Sequence, residues 1–117
     1  MKEAMDDYKN AMVDFSKTNP EEFRKFSEFA FAALKDGKLN SKTKELIAVG
    51  ISVAVRCSYC IYLHTKEAFK AGATEEEIRE AATVAVLMGG GPALTYITEL
   101  KKAIDYCKDN NLGGVKK

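Results

Sequence analysis

Three residues in the stretch "VAVRCSYCIYLHTKEAFKAG" can do chemistry together: Cys57, Cys60 and His64, the only histidine of the chain. Steps of three and four place all three on one face of an α-helix. The thiolate is the reactive form of cysteine, and a free cysteine near neutral pH is mostly thiol. A histidine one turn away can take that proton or stabilise the charge. Cys57 falls at or just before the start of its predicted helix, where the helix-end field also favours a thiolate. One thiolate would attack a peroxide or disulfide substrate, and the other would close an intramolecular disulfide. On a regular helix, side chains three apart have Cβ atoms about 5–6 Å from each other. A relaxed disulfide needs about 3.5–4.5 Å. Closing Cys57–Cys60 is therefore expected to strain or unwind the first turn, and a strained pair is easily reduced.

The elements that must hold these residues all read as helical. "MKEAMDDYKNAMVDFSKTN" sets Met1, Met5, Tyr8, Met12 and Phe15 at helical spacing. Asn19 then offers an N-cap before Pro20, and "EEFRKFSEFAFAALKDG" places Phe23, Phe26, Ala30 and Leu34 on one face, with Gly37 as the stop. Ser41 can cap a third helix. From Leu46 to Val55 that helix is apolar nearly all round, as expected at the centre of a bundle or in an oligomer interface. Its β-branched residues make a buried strand conceivable, but the charged start "SKTKE" and the length favour helix. The cysteine-bearing helix runs from about Ser58 to Ala71, with Gly72 just past its end. Thr74 and Glu77 have capping-box spacing. "GGGP" at 89–92 breaks the next helix, as expected where backbone approaches backbone. It lacks the Lys-Ser/Thr of a phosphate loop. Helical character resumes in "ALTYITELKKAIDYCKDN", and "NLGGVKK" reads as a frayed tail. The expectation is an all-α single domain over 1–117, a bundle of about six helices with short, antiparallel connections.

If the third and fourth helices fold back near Arg56 and Cys57, His64 lies level with about Val49. Glu45 is then one turn away, within reach directly or through a water. A carboxylate there would orient the imidazole and relay a proton. The bland alternative for Glu45 is a first-turn carboxylate complementing the helix dipole. Tyr59 and Tyr62 flank the site, either lining a pocket or packing. Cys107 reads as a core residue.

Composition narrows the function classes. The chain has 117 residues, 46% hydrophobic and 30% charged, with a formal net charge of +1 and no basic block. That suits one globular domain and argues against a nucleic-acid partner. No apolar run approaches the length of a membrane span. The polar, acidic start lacks the core of a signal peptide, so a cytoplasmic location is expected. Three cysteines fit redox chemistry better than a disulfide scaffold.

Taken with the elements around it, "KELIAVGISVAVRCSYCIYLHTKEAFKAGATEEEI" resembles the core motif of the carboxymuconolactone decarboxylase superfamily, and within it the alkyl hydroperoxidase D-like branch. The pattern is a glutamate, a Cys-x-x-Cys twelve residues on, and a histidine four after the second cysteine. "AGATEEEI" and "GGGPALTY" complete it, over about Leu39 to Tyr96. The resemblance implies an all-helical bundle assembling as homo-trimers or homo-hexamers. It implies thiol-dependent peroxide reduction or disulfide exchange. No cofactor or metal is expected. Cys60 would attack and become sulfenic acid, Cys57 would resolve it, and Glu45 and His64 would relay protons. A lipoyl- or thioredoxin-type protein would restore the dithiol. Helix-end electrostatics alone favour Cys57 as the thiolate, whereas the histidine spacing and the resemblance favour Cys60, which is taken as the attacking residue.

One departure stands out. The branch has a second histidine between its cysteines, where this chain has Tyr59. A phenol is a poorer proton carrier near neutral pH than an imidazole, so slower peroxide turnover is expected. Two other readings keep the same residues. Decarboxylation of a γ-lactone would use His64 and Glu45 as acid and base and leave the cysteine pair unexplained. A metal-binding or assembly module would recruit Cys57, Cys60 and His64 as ligands, but three ligands crowded on two helical turns suit a tetrahedral site poorly.

Overall fold

The computed structural model describes residues 1–112. Seven helices follow one another: α1 (Lys2–Thr18), α2 (Pro20–Leu34), α3 (Ser41–Ala54), α4 (Ser58–Lys70), α5 (Glu75–Gly89), α6 (Gly91–Thr95) and α7 (Ile97–Asp109). The expected six become seven because the segment from Gly91 onward is divided at Tyr96 into a five-residue α6 and α7. Of the tail expected to fray, residues 113–117 lie outside the described residues.

α3 is the centre of the bundle, packed between α4 and α5, while α7 closes the other side of α4. The core runs through Val49 and Val53 of α3, Ile61 and Phe69 of α4, Ile78 of α5 and Leu100 and Ile104 of α7. The all-apolar segment of α3 is helix, not strand, and its two faces part company. Val49 and Val53 are inaccessible, whereas Ile47, Ile51 and Val55 face outward. α1 lies against α4 and α2, and α2 contributes no buried residue. Phe15 of α1 meets Phe23 of α2 edge-on at 6.2 Å, but Phe26, Phe29 and Phe31 are exposed.

The helix ends follow the sequence with local corrections. Thr74 and Glu77 form the capping box: the Glu77 N–H donates to Thr74 Oγ1 at 3.1 Å, and Glu77 Oε1 accepts from the Thr74 N–H at 2.9 Å. Gly72 takes φ +99, so the Ala73 N–H reaches the Ala68 carbonyl and the Gly72 N–H that of Phe69. Those two bonds satisfy the last carbonyls of α4. Asn40, not Ser41, caps α3, its side chain accepting the Thr43 N–H at 2.8 Å. The Ser41 N–H is taken instead by Asp36 at 2.6 Å. α2 ends at Leu34, before Gly37, because the chain turns extended at Lys35 and no left-handed residue is needed. Lys44 Nζ donates to the Lys35 carbonyl there. Asn19 stands at the start of α2 as expected, but its side chain makes no capping bond. At the glycine break, a Cβ on Gly89 would lie 2.7 Å from the Ala93 Cβ and 3.6 Å from the Ala54 Cα. Close approach of α5, α6 and α3 therefore requires glycine.

Candidate functional site

The reversal between α3 and α4 builds the site. Val55 caps α3, and Arg56 adopts φ +60. The Arg56 N–H then bonds to the Val53 carbonyl at 3.2 Å and the Cys57 N–H to that of Ser52 at 3.0 Å. This helix ending usually employs glycine at the left-handed position, and a residue with a Cβ there is held at a cost of ~1 kcal/mol. Cys57, whose N–H makes the last bond back to α3, is thereby also the residue opening α4. Cys57 is the N-cap of α4, extended at φ −106 and ψ 101, and its carbonyl accepts the Ile61 N–H at 2.9 Å.

Cys57 and Cys60 are joined in a disulfide with Cα atoms 5.2 Å apart. The expected unwinding of the first turn does not occur. Cys57 lies outside the helix, so the bridge joins the N-cap to the third helical residue and leaves α4 regular. For the same reason only Cys60 and His64 share a helical stripe, while Cys57 reaches it from the preceding turn. Cys57 Sγ also accepts the Cys60 N–H at 3.2 Å, as a capping side chain would. In the dithiol, that contact and the helix end favour negative charge on Cys57. Both cysteines are partly exposed.

His64 follows one turn after Cys60, and its Nδ1 is 2.7 Å from Glu45 Oε1. Glu45 is almost completely buried at 5% exposure, and it is one of few buried polar residues among those described. The contact is direct, with no need of a bridging water. A carboxylate accepts only, so the imidazole donates from Nδ1 and, when neutral, presents the lone pair of Nε2. The first-turn dipole reading of Glu45 gives way to this pairing, because a buried carboxylate demands a partner.

The two tyrosines separate. Tyr59, 47% exposed, stacks on Tyr8 of α1 with ring centroids 6.2 Å apart. Tyr62 does not line a pocket at the disulfide. It sits on the far side of α4, buried, with its hydroxyl donating to Glu99 of α7. Burial and then that bond push its phenol up to about 12, and the Tyr62 hydroxyl in turn holds the Glu99 carboxyl below its usual range. Cys107 is fully buried in α7, as expected of a core residue, and burial raises its thiol to about 11. Among the described residues, no group of three or more His, Cys, Asp or Glu side chains is placed to hold a metal ion. Sequence spacing offered no signal for Tyr8, Glu99 or the left-handed Arg56, since the first two come from distant helices and the third from the turn itself.

The comparisons with known proteins agree with this architecture. The profile of the carboxymuconolactone decarboxylase family matches residues 20–102. An uncharacterized protein of Cupriavidus necator is 40% identical over 75 residues, 64% of either chain. This chain thus matches somewhat less than two thirds of that relative's length. A crystal structure of a carboxymuconolactone decarboxylase family protein from Legionella pneumophila, in its apo form, is similar over 86% of this chain and 90% of its own, at 44% identity and a TM-score of 0.83. A Thermotoga maritima family protein, for which a part in an antioxidative response has been suggested, is similar over 93% and 97% at 25% identity and a TM-score of 0.76. An all-α bundle with a Cys-x-x-Cys pair at the head of a helix is the class defined here. The chain belongs to the carboxymuconolactone decarboxylase family. No helix among the described residues is long and apolar enough to cross a membrane.

Proposed function

We propose that the chain is a thiol-dependent peroxidase and disulfide oxidoreductase of the alkyl hydroperoxidase D-like branch. The observation that carries this reading is the Cys57–Cys60 disulfide with the Glu45–His64 pair one turn behind Cys60. In the dithiol, His64 takes the Cys60 proton through Nε2, and Glu45 holds the imidazolium that forms. The Cys60 thiolate attacks the distal peroxide oxygen, the O–O bond breaks, and the alkoxide leaves as an alcohol with the proton from His64. Cys57 then attacks the Cys60 sulfenic acid, forming the disulfide and releasing water. A dithiol partner of lipoyl or thioredoxin type supplies two electrons and two protons. Its attack on Cys60 expels Cys57, whose thiolate is favoured by the N-cap position and so leaves readily.

The same chain assembles as a homo-trimer or homo-hexamer in the cytoplasm under this reading. Ile47, Ile51, Val84, Leu87 and Met88 are exposed apolar residues on α3 and α5, a face that a second copy of the chain would cover. Lactone decarboxylation by His64 and Glu45 is the competing chemistry, and it does not use the disulfide. Replacing Cys60 by serine distinguishes the two. Peroxide turnover should be lost in Cys60→Ser, and full turnover in that variant, or decarboxylation indifferent to thiol blocking, would overturn the assignment.

A further inference from the structure

A groove of about 500 Å³ runs between α1, α2 and α4, within the ~300–1,000 Å³ typical of small-molecule sites. Met5 and Met12 of α1, Phe23 of α2 and Leu63 of α4 supply apolar walls, and Lys9 and Lys66 line it as well. Among the described residues, neither lysine enters an ion pair. Lys66 is half-buried all the same. The one carboxylate at the groove, Asp6, is engaged by Lys2 at 3.0 Å. Apolar walls under two uncompensated cations complement an amphipathic anion, with the chain desolvated and the charge met at the rim.

The groove ends near the turn of α4 that carries the redox pair. Tyr59, Leu63 and Lys66 lie at positions i, i+4 and i+7 of α4 and so share one stripe. Tyr8 lines the groove and stacks on Tyr59, the residue at the second position after Cys57 and directly before Cys60. Seven residues of helix separate Lys66 from Tyr59 by about 10 Å. A carboxylate held by Lys66 therefore brings a mid-chain carbon, not the far end of a short molecule, to the level of the cysteines along α4.

We infer that this groove binds long-chain carboxylates, and that fatty-acid hydroperoxides are the peroxides it presents to Cys60. The second half rests on the peroxidase reading; the binding half does not. Calorimetric titration of the disulfide form with dodecanoate below its micellar concentration tests the binding. Saturable binding of one dodecanoate per chain is expected, with dodecanol at least tenfold weaker. Lys66→Glu and Lys9→Glu should each weaken dodecanoate tenfold or more, and Lys66→Arg should retain it. Absence of saturable binding, equal affinity in the charge-reversed variants, or association with anionic vesicles but not monomeric dodecanoate would overturn the groove. In turnover, the ratio of kcat/KM for linoleic acid hydroperoxide over tert-butyl hydroperoxide should exceed one and fall about tenfold in Lys66→Glu. If dodecanoate binds but neither hydroperoxide is reduced, the peroxidase reading fails and the groove stands. If tert-butyl hydroperoxide is reduced but dodecanoate does not bind, the groove falls and the peroxidase reading stands.

Discussion

His64 Nδ1 and Glu45 Oε1 are 2.7 Å apart across the α3–α4 hairpin, nineteen residues from each other in the chain. The carboxylate is buried and the imidazole is 22% exposed on its side chain, so one partner is fixed by the core while the other looks toward solvent. That asymmetry suits a proton acceptor that must reach a surface cysteine without turning in place.

Replacing Glu45 by glutamine keeps the volume but removes the charge that stabilises a protonated His64. The rate of thiol oxidation by peroxide, followed by stopped flow, should fall by on the order of 10–10². His64→Gln should fall similarly, and the double variant little further, because the two groups act as a unit. Additive losses would mean that they act separately.

Tyr62 and Glu99 make stability depend on pH at both extremes. The folded-state Tyr62 is raised to about 12, so its contribution is complete below the ordinary phenol value and is lost as pH rises through about 12. Glu99 is lowered, so its contribution is present above the ordinary carboxylate value and is lost as pH falls through its depressed one. Thermal unfolding of Tyr62→Phe should show a shallower alkaline decline than the parent chain. An unchanged alkaline slope would remove Tyr62 as its source.

Cys107 should be silent in the folded protein. It is inaccessible, and burial raises its thiol to about 11. After reduction, a thiol reagent at pH 8 should titrate two thiols per chain, on the Cys57–Cys60 peptide, and a third only in denaturant. Rapid labelling of Cys107 in the native state would contradict its place in the core.

Gly89→Ala should destabilise the bundle by about 1–3 kcal/mol, because the added methyl meets the buried Ala93 and the backbone of α3. Denaturant unfolding measures this. A neutral outcome would mean that α6 yields without cost.

Much of this protein is already determined by its sequence. Periodicity, the Asn19–Pro20 junction, the Thr74–Glu77 box and Gly72 specify a run of helices, because those signals act within a few residues. The spacing of Cys57, Cys60 and His64 and the short turn before them also anticipate that Glu45 meets His64. A three-residue connection leaves two helices little choice but to lie antiparallel.

Tertiary structure decided the rest. It closed α3 through a left-handed Arg56, a position that propensity assigns to glycine and that packing of α3 on α4 imposes on arginine. It turned Tyr62 from the disulfide toward Glu99, and it stacked Tyr59 on Tyr8. It left the phenylalanines of α2 outside the core. Each of these depends on which helix lies against which, and local hydrophobic spacing gives the face of a helix without naming its neighbour.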